Sequence, residues 1–119
     1  MTAFTIRRLH PDILAIDDGT RAWTATVDPD RSVRRIANAT SGRALKLDGP
    51  LGKRITAAVH DWLVECAEQL PAALDEYVRT LTDSTEVIPR LDAWDRCKQL
   101  GANRYDYDRA RRRAEGIAS

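Results

Sequence analysis

The sequence predicts an α+β fold, an antiparallel four- to five-stranded β-meander followed by a long amphipathic helix and three shorter helices. Three observations carry this. An Asp18-Gly19 pair lies between two apolar runs, as in a β-hairpin. From Leu51 to Leu70 apolar residues recur at the spacing of one helical face. Strand-like segments precede Asp48 and helix-like segments follow Pro50, a segregation typical of α+β domains. With 119 residues, 43% hydrophobic and 31% charged, the chain reads as one globular domain spanning 1–119 with a single core.

Phe4-Thr5-Ile6-Arg7-Arg8-Leu9 reads as the first strand, ended by the turn His10-Pro11-Asp12. In a two-residue loop of Asp18 and Gly19, Asp17 faces Thr20, Ile16 faces Arg21 and Leu14 faces Trp23. Leu14, Ile16, Trp23, Ala25 and Val27 then share one face, which is expected to meet the core. Ile13, Ala15, Thr24 and Thr26 occupy the other. Asp28-Pro29-Asp30-Arg31 has Pro at the second turn position and leads into a strand from Ser32 to Ala37. There Val33 and Ile36 fall on opposite faces, which calls for a bulge or an exposed edge strand. Leu45-Lys46-Leu47 is a short fifth strand. Only one arginine of each pair, Arg7-Arg8 and Arg34-Arg35, can join a cationic patch on a given sheet face, and a solvated surface is the simpler expectation.

Pro50 suits a first helical position, because its missing N–H has no partner there in any case. Leu51, Ile55, Ala58, Val59, Trp62, Leu63, Cys66, Ala67 and Leu70 form the stripe of the long helix, with Trp62 expected to be its costliest core residue. Pro71 is expected to restart the chain into a second helix to Leu81, before a polar break at Thr82-Asp83-Ser84-Thr85. A third helix from Arg90 closes at Gly101, and a fourth from Tyr105 to Glu115 closes at Gly116.

The net charge of +1 is unevenly spread. Lys and Arg number 8 against 6 Asp and Glu in residues 1–50, 3 against 7 in 51–88, and 8 against 5 in 89–119. An acidic centre and a basic tail agree with a nucleic-acid-facing end. Cys66 and Cys97 lie on apolar-periodic stretches without a leader upstream, so reduced buried thiols are expected. No apolar run approaches the ~18 residues of a membrane span, and a cytoplasmic location without membrane contact is expected. Asn38-Ala39-Thr40 fits the glycosylation pattern, which has no consequence without secretion.

No catalytic, metal or cofactor site is expected. His10 beside Pro11 and His60 beside the long helix's stripe have no nearby nucleophile in a known context, and no C-x-x-C or H-x-x-x-H spacing exists for zinc. Gly49, Gly52, Lys53 and Arg54 depart from the phosphate-loop pattern, which needs wider Gly spacing and Ser or Thr after the Lys.

Two short helices joined by a Gly-containing turn form the helix-turn-helix outline, whose second helix enters the DNA major groove. Gln99-Leu100-Gly101-Ala102-Asn103-Arg104 with Arg109-Ala110 resembles the L-G-V-S-R-x-x-V-x-x-A-L run of GntR-like winged helix-turn-helix regulators, and Glu115-Gly116-Ile117 resembles the E-G-L that follows. The likeness covers about 20 residues. It implies that Asn103, Arg104, Tyr105 and Asp108 face DNA and that Arg109, Arg112 and Arg113 contact phosphates. Tyr107 replaces the usual Val, Arg111 stands at an apolar position, Asp106 and Asp108 add negative charge, and the chain ends where a wing would begin.

These readings point to a small non-enzymatic binding protein, bacterial or phage-like, that contacts nucleic acid through its basic terminal helix pair. The alternative is a protein-interaction module, such as a phage- or plasmid-encoded inhibitor of the anti-CRISPR or anti-restriction type. It would block a partner through Asp61, Glu65 and Glu68, which line the outer side of the long helix. A homodimer through Tyr105, Tyr107 and Trp94 is compatible with either.

Overall fold

A computed structural model describes residues 4–83 and 87–118, so part of the expected polar break, Ser84-Thr85, lies outside the described residues. The strands are β1 (Thr5–His10), β2 (Ile13–Asp17), β3 (Ala22–Val27), β4 (Val33–Asn38) and β5 (Ala44–Leu45), in an antiparallel sheet of order β1-β2-β3-β4-β5. Helices α1 (Pro50–Asp83), α2 (Val87–Gln99) and α3 (Arg104–Ala118) follow. The fold is the expected α+β meander with a long helix, and the shorter helices number two because α1 absorbs the segment expected to form its own.

The β2–β3 hairpin differs from expectation by two residues. Ile16 pairs with Trp23 and Leu14 with Ala25, leaving residues 18–21 as a four-residue loop. Asp18 explains the longer loop: its carboxylate accepts from the N–H of Thr20 at 2.9 Å and of Arg21 at 2.6 Å. Those donors, Arg21's first and Thr20's second, hold the Asp18 carboxyl below the usual carboxylate range. A two-residue shift leaves every side chain on its original face, so Leu14, Ile16, Trp23, Ala25 and Val27 are all buried as expected.

At the next turn Arg31 donates its N–H to the Asp28 carbonyl at 2.9 Å and takes a left-handed φ of 71°. Thr26 then pairs with Arg35 but Val27 with Val33, so Arg34 is the extra residue of a β-bulge. The bulge turns both Val33 and Ile36 towards the core. The edge-strand alternative does not hold, since β4 lies between β3 and β5. Among the paired arginines, Arg34 bridges Asp28 at 2.9 Å, Arg35 donates to the Gly42 carbonyl at 3.3 Å, and Arg8 lies 5.5 Å from the Trp62 ring centre.

Gly52 has a steric role in the first turn of α1. A Cβ there would lie 2.1 Å from the Lys46 carbonyl oxygen and 2.9 Å from two Leu47 backbone atoms, so only glycine lets the strand exit pass this close. Pro71 does not restart the helix; α1 runs through it for 34 residues. The ring removes one hydrogen bond, to the carbonyl of residue 67. Its side chain faces solvent, while Leu70, Ala73, Leu74, Tyr77 and Val78 continue the apolar spacing across it.

Where one core is expected, the buried apolar residues form two clusters, and the chain divides into two compact units between Val64 and Glu65. In the first unit the sheet's apolar face packs with Ile55, Val59 and Leu63. In the second, Ala73, Tyr77 and Val78 pack with Cys97, Ala110 and Ala114. Both cysteines are buried and neither is in a disulfide, as expected. No described helix is long and apolar enough to cross a membrane.

Trp62 is partly buried and packs against this core, whereas Leu14, Ile16, Ile36, Ile55 and Val59 are fully enclosed. Ile55→Ala is expected to lower unfolding free energy by about 2–5 kcal/mol in chemical denaturation.

Candidate nucleic-acid interface

Helix α2 ends in a Schellman closure. The Ala102 N–H donates to the Cys97 carbonyl at 2.9 Å and the Gly101 N–H to the Lys98 carbonyl at 3.0 Å, with Gly101 at φ 100°. Helix α3 then starts with a reciprocal capping box. Asn103 Oδ1 accepts from the Asp106 N–H at 3.0 Å, and Asp106 Oδ2 accepts from the Asn103 N–H at 3.0 Å. Residues 100–103 are therefore a hydrogen-bonded connector between two helices, short enough for a helix-turn-helix.

The second unit contributes one more helix, the C-terminal part of α1. Ala110 and Ala114 are buried and Tyr107 half-buried against Tyr77 and Val78 of α1 and Cys97 of α2. Tyr77, Trp94 and Tyr107 form an aromatic trio, with Tyr77–Trp94 centroids 5.3 Å apart and Trp94–Tyr107 5.0 Å apart. Of the residues of the expected dimer patch, Trp94 and Tyr107 are half-buried within the unit and Tyr105 is 63% exposed.

The solvent side of α3 carries Arg104, Tyr105, Arg109 and Arg112, all exposed. At 100° per residue they fall within about 140° of the helix circumference. Arg109 lies 5.6 Å from the Tyr105 ring centre, and Arg104 makes a loose 3.9 Å ion pair with Asp108.

Two of the expected contact residues have other work. The Asn103 side-chain oxygen is held by the cap, and Arg113 bridges Asp75 of α1 at 2.9 Å. Asp106, read from sequence as a charge opposed to phosphates, is the cap's second half. Its spacing of three from Asn103 is the signal that shows this in the sequence. Nothing local links Asp75 to Arg113 across 38 positions. Arg111, at the apolar position of the resemblance, is exposed beside the Tyr107 ring. Helix α3 also runs through Gly116, where an end was expected, and the side chain of Ile117 lies outside the described residues.

The other candidates belong to other elements. Asp61, Glu65 and Glu68 are exposed on α1, Asp61 in the first unit and the glutamates in the second. His10 is exposed and its Nδ1 contacts Asp12 Oδ1 at 2.6 Å, a hydrogen bond that lowers the Asp12 carboxyl's pKa. Among the described residues no three His, Cys, Asp or Glu side chains are grouped to hold a metal ion.

Comparison with known proteins finds no matching family model, no matching curated protein and no matching solved structure.

Asn103→Ala is expected to remove the cap and cost about 0.5–2 kcal/mol in denaturant unfolding. Beneath the turn, burial pushes the Cys97 thiol from 9.0 up to about 11. A folded-state value raised in this way gives stability that is complete below the unfolded pKa and is lost as pH rises from about 9 to about 11. The loss attributable to Cys97 is on the order of 2–3 kcal/mol. It should vanish from the alkaline stability profile of Cys97→Ala.

Proposed function

We propose that this chain is a non-enzymatic nucleic-acid-binding protein of the regulatory kind, with α3 as the contacting element. The observation that carries the reading is the capped α2–α3 turn, which fixes a helix whose solvent side presents Arg104, Tyr105, Arg109 and Arg112. Arginines supply phosphate contacts, and an exposed tyrosine can stack on a base or lie against a sugar. The helix carries five arginines against three acidic residues; Asp106 is engaged in the cap, Arg113 with Asp75, and Arg104 loosely with Asp108. The resemblance of residues 99–110 to GntR-like regulators supports the same helix, with Asn103 and Arg113 reassigned to structure.

A second reading has one observation in its favour. Asp61, Glu65 and Glu68 are exposed, and none appears in an ion pair among the described residues, so they are open to a basic protein partner of an inhibitor-like module.

The two readings separate in fluorescence anisotropy with labelled random duplex and single-stranded DNA at low and moderate salt. Nucleic-acid binding predicts affinity that falls steeply with salt. Arg109→Ala with Arg112→Ala should weaken it at every sequence and reduce the salt slope by roughly one per arginine lost. Asp61→Lys with Glu65→Lys should not weaken it. No binding at low salt, or binding indifferent to the arginine changes, would sink the proposal and favour capture of a protein through the carboxylates.

A further inference from the structure

In the first unit a cleft of about 630 Å³ opens between the β3–β4 turn, the segment after β5 and the first turns of α1. That volume is within the range of small-molecule sites, roughly 300–1,000 Å³. Three kinds of side chain line it. Arg31, Lys53 and His60 bring N–H donors from two elements, and none of them belongs to an ion pair among the described residues. Val33, Leu47 and Ala57 supply an apolar wall, which includes one of the few large hydrophobic side chains left exposed, Leu47. Ser32 and Thr56 supply hydroxyls.

Two local costs coincide at this cleft. The Thr56 Oγ1 is buried and has no hydrogen-bond partner, an unfavourable state for a hydroxyl. Arg31 holds the left-handed φ of 71° at a turn position where glycine would be unstrained. The carboxylate at the rim, Asp30, is occupied locally: its Oδ1 accepts from the Ser32 N–H at 3.0 Å. The other polar side chains that line the cleft are the donors and hydroxyls named above, and apolar Val33, Leu47 and Ala57 lie among them.

We propose that this cleft binds a small amphipathic anion, a phosphomonoester with a compact apolar body. Its phosphate would lie among Lys53, His60 and Arg31, and its apolar part would cover Val33, Leu47 and Ala57. A phosphate fits this donor set better than a carboxylate because it offers three terminal oxygens to several converging donors. The site shares no residue with the α3 face, so it stands or falls separately from the nucleic-acid reading.

The experiment is a titration of the ¹⁵N-labelled full chain with phenyl phosphate, inorganic phosphate and benzoate, following amide shifts. Phenyl phosphate should move the amides of Arg31, Val33, Lys53, Thr56 and His60 saturably, with inorganic phosphate and benzoate each weaker. Lys53→Ala should weaken binding at least tenfold, while Arg43→Ala, an exposed arginine outside the cleft, should leave it unchanged. Thr56→Val should raise the Tm of the free protein, because a methyl replaces an orphaned hydroxyl. Shifts that never saturate, that spread over the α3 arginines, or that respond equally to Arg43→Ala would overturn the site. Benzoate binding as tightly as phenyl phosphate would overturn the phosphate assignment.

Discussion

The apolar stripe of α1 is the constraint on which the rest of this structure depends. The helix has 34 residues, while no strand of the sheet exceeds six. A short-stranded sheet cannot shield the whole stripe from water. Its N-terminal part, Ile55, Val59 and Leu63, is covered by the sheet face of Leu14, Ile16, Trp23 and Ala25. Its C-terminal part, Ala73, Tyr77 and Val78, needs other apolar partners, and these come from α2 and α3. Two cores follow from one helix of this length, and the position of α3 follows from the second core.

Much of this was legible in the residues. Alternation of large apolar with small or hydroxylated side chains marked the sheet faces, and a turn misjudged by two residues preserved them because the strand period is two. The mismatch of Val33 with Ile36 announced the bulge at Arg34. The single helix through Pro71 was not legible from proline alone, because a proline's effect is set by what flanks it, and here the apolar spacing continues on both sides. The split into two cores was hidden for the same reason: the stripe's spacing is unbroken at Val64-Glu65, and only the three-dimensional partners differ.

At the candidate interface, the residues singled out in the sequence are of two kinds. Arg104, Tyr105, Arg109 and Arg112 share the solvent side, whereas Asn103, Asp106 and Arg113 build the turn and fasten α3 to α1. Local spacing identifies the Asn103–Asp106 pair. The Asp75–Arg113 bridge is a long-range contact that no local pattern encodes. This division gives the unit a polar turn held by its own hydrogen bonds and leaves the arginines of α3 available to a ligand of opposite charge.

The central functional claim, that α3 is the contacting element, is tested most directly by amide chemical-shift mapping of the full chain with a short DNA duplex at low salt. The account predicts shifts concentrated at Arg104, Tyr105, Arg109 and Arg112 that reverse on adding salt. Shifts absent from α3, or concentrated on another surface, would contradict it.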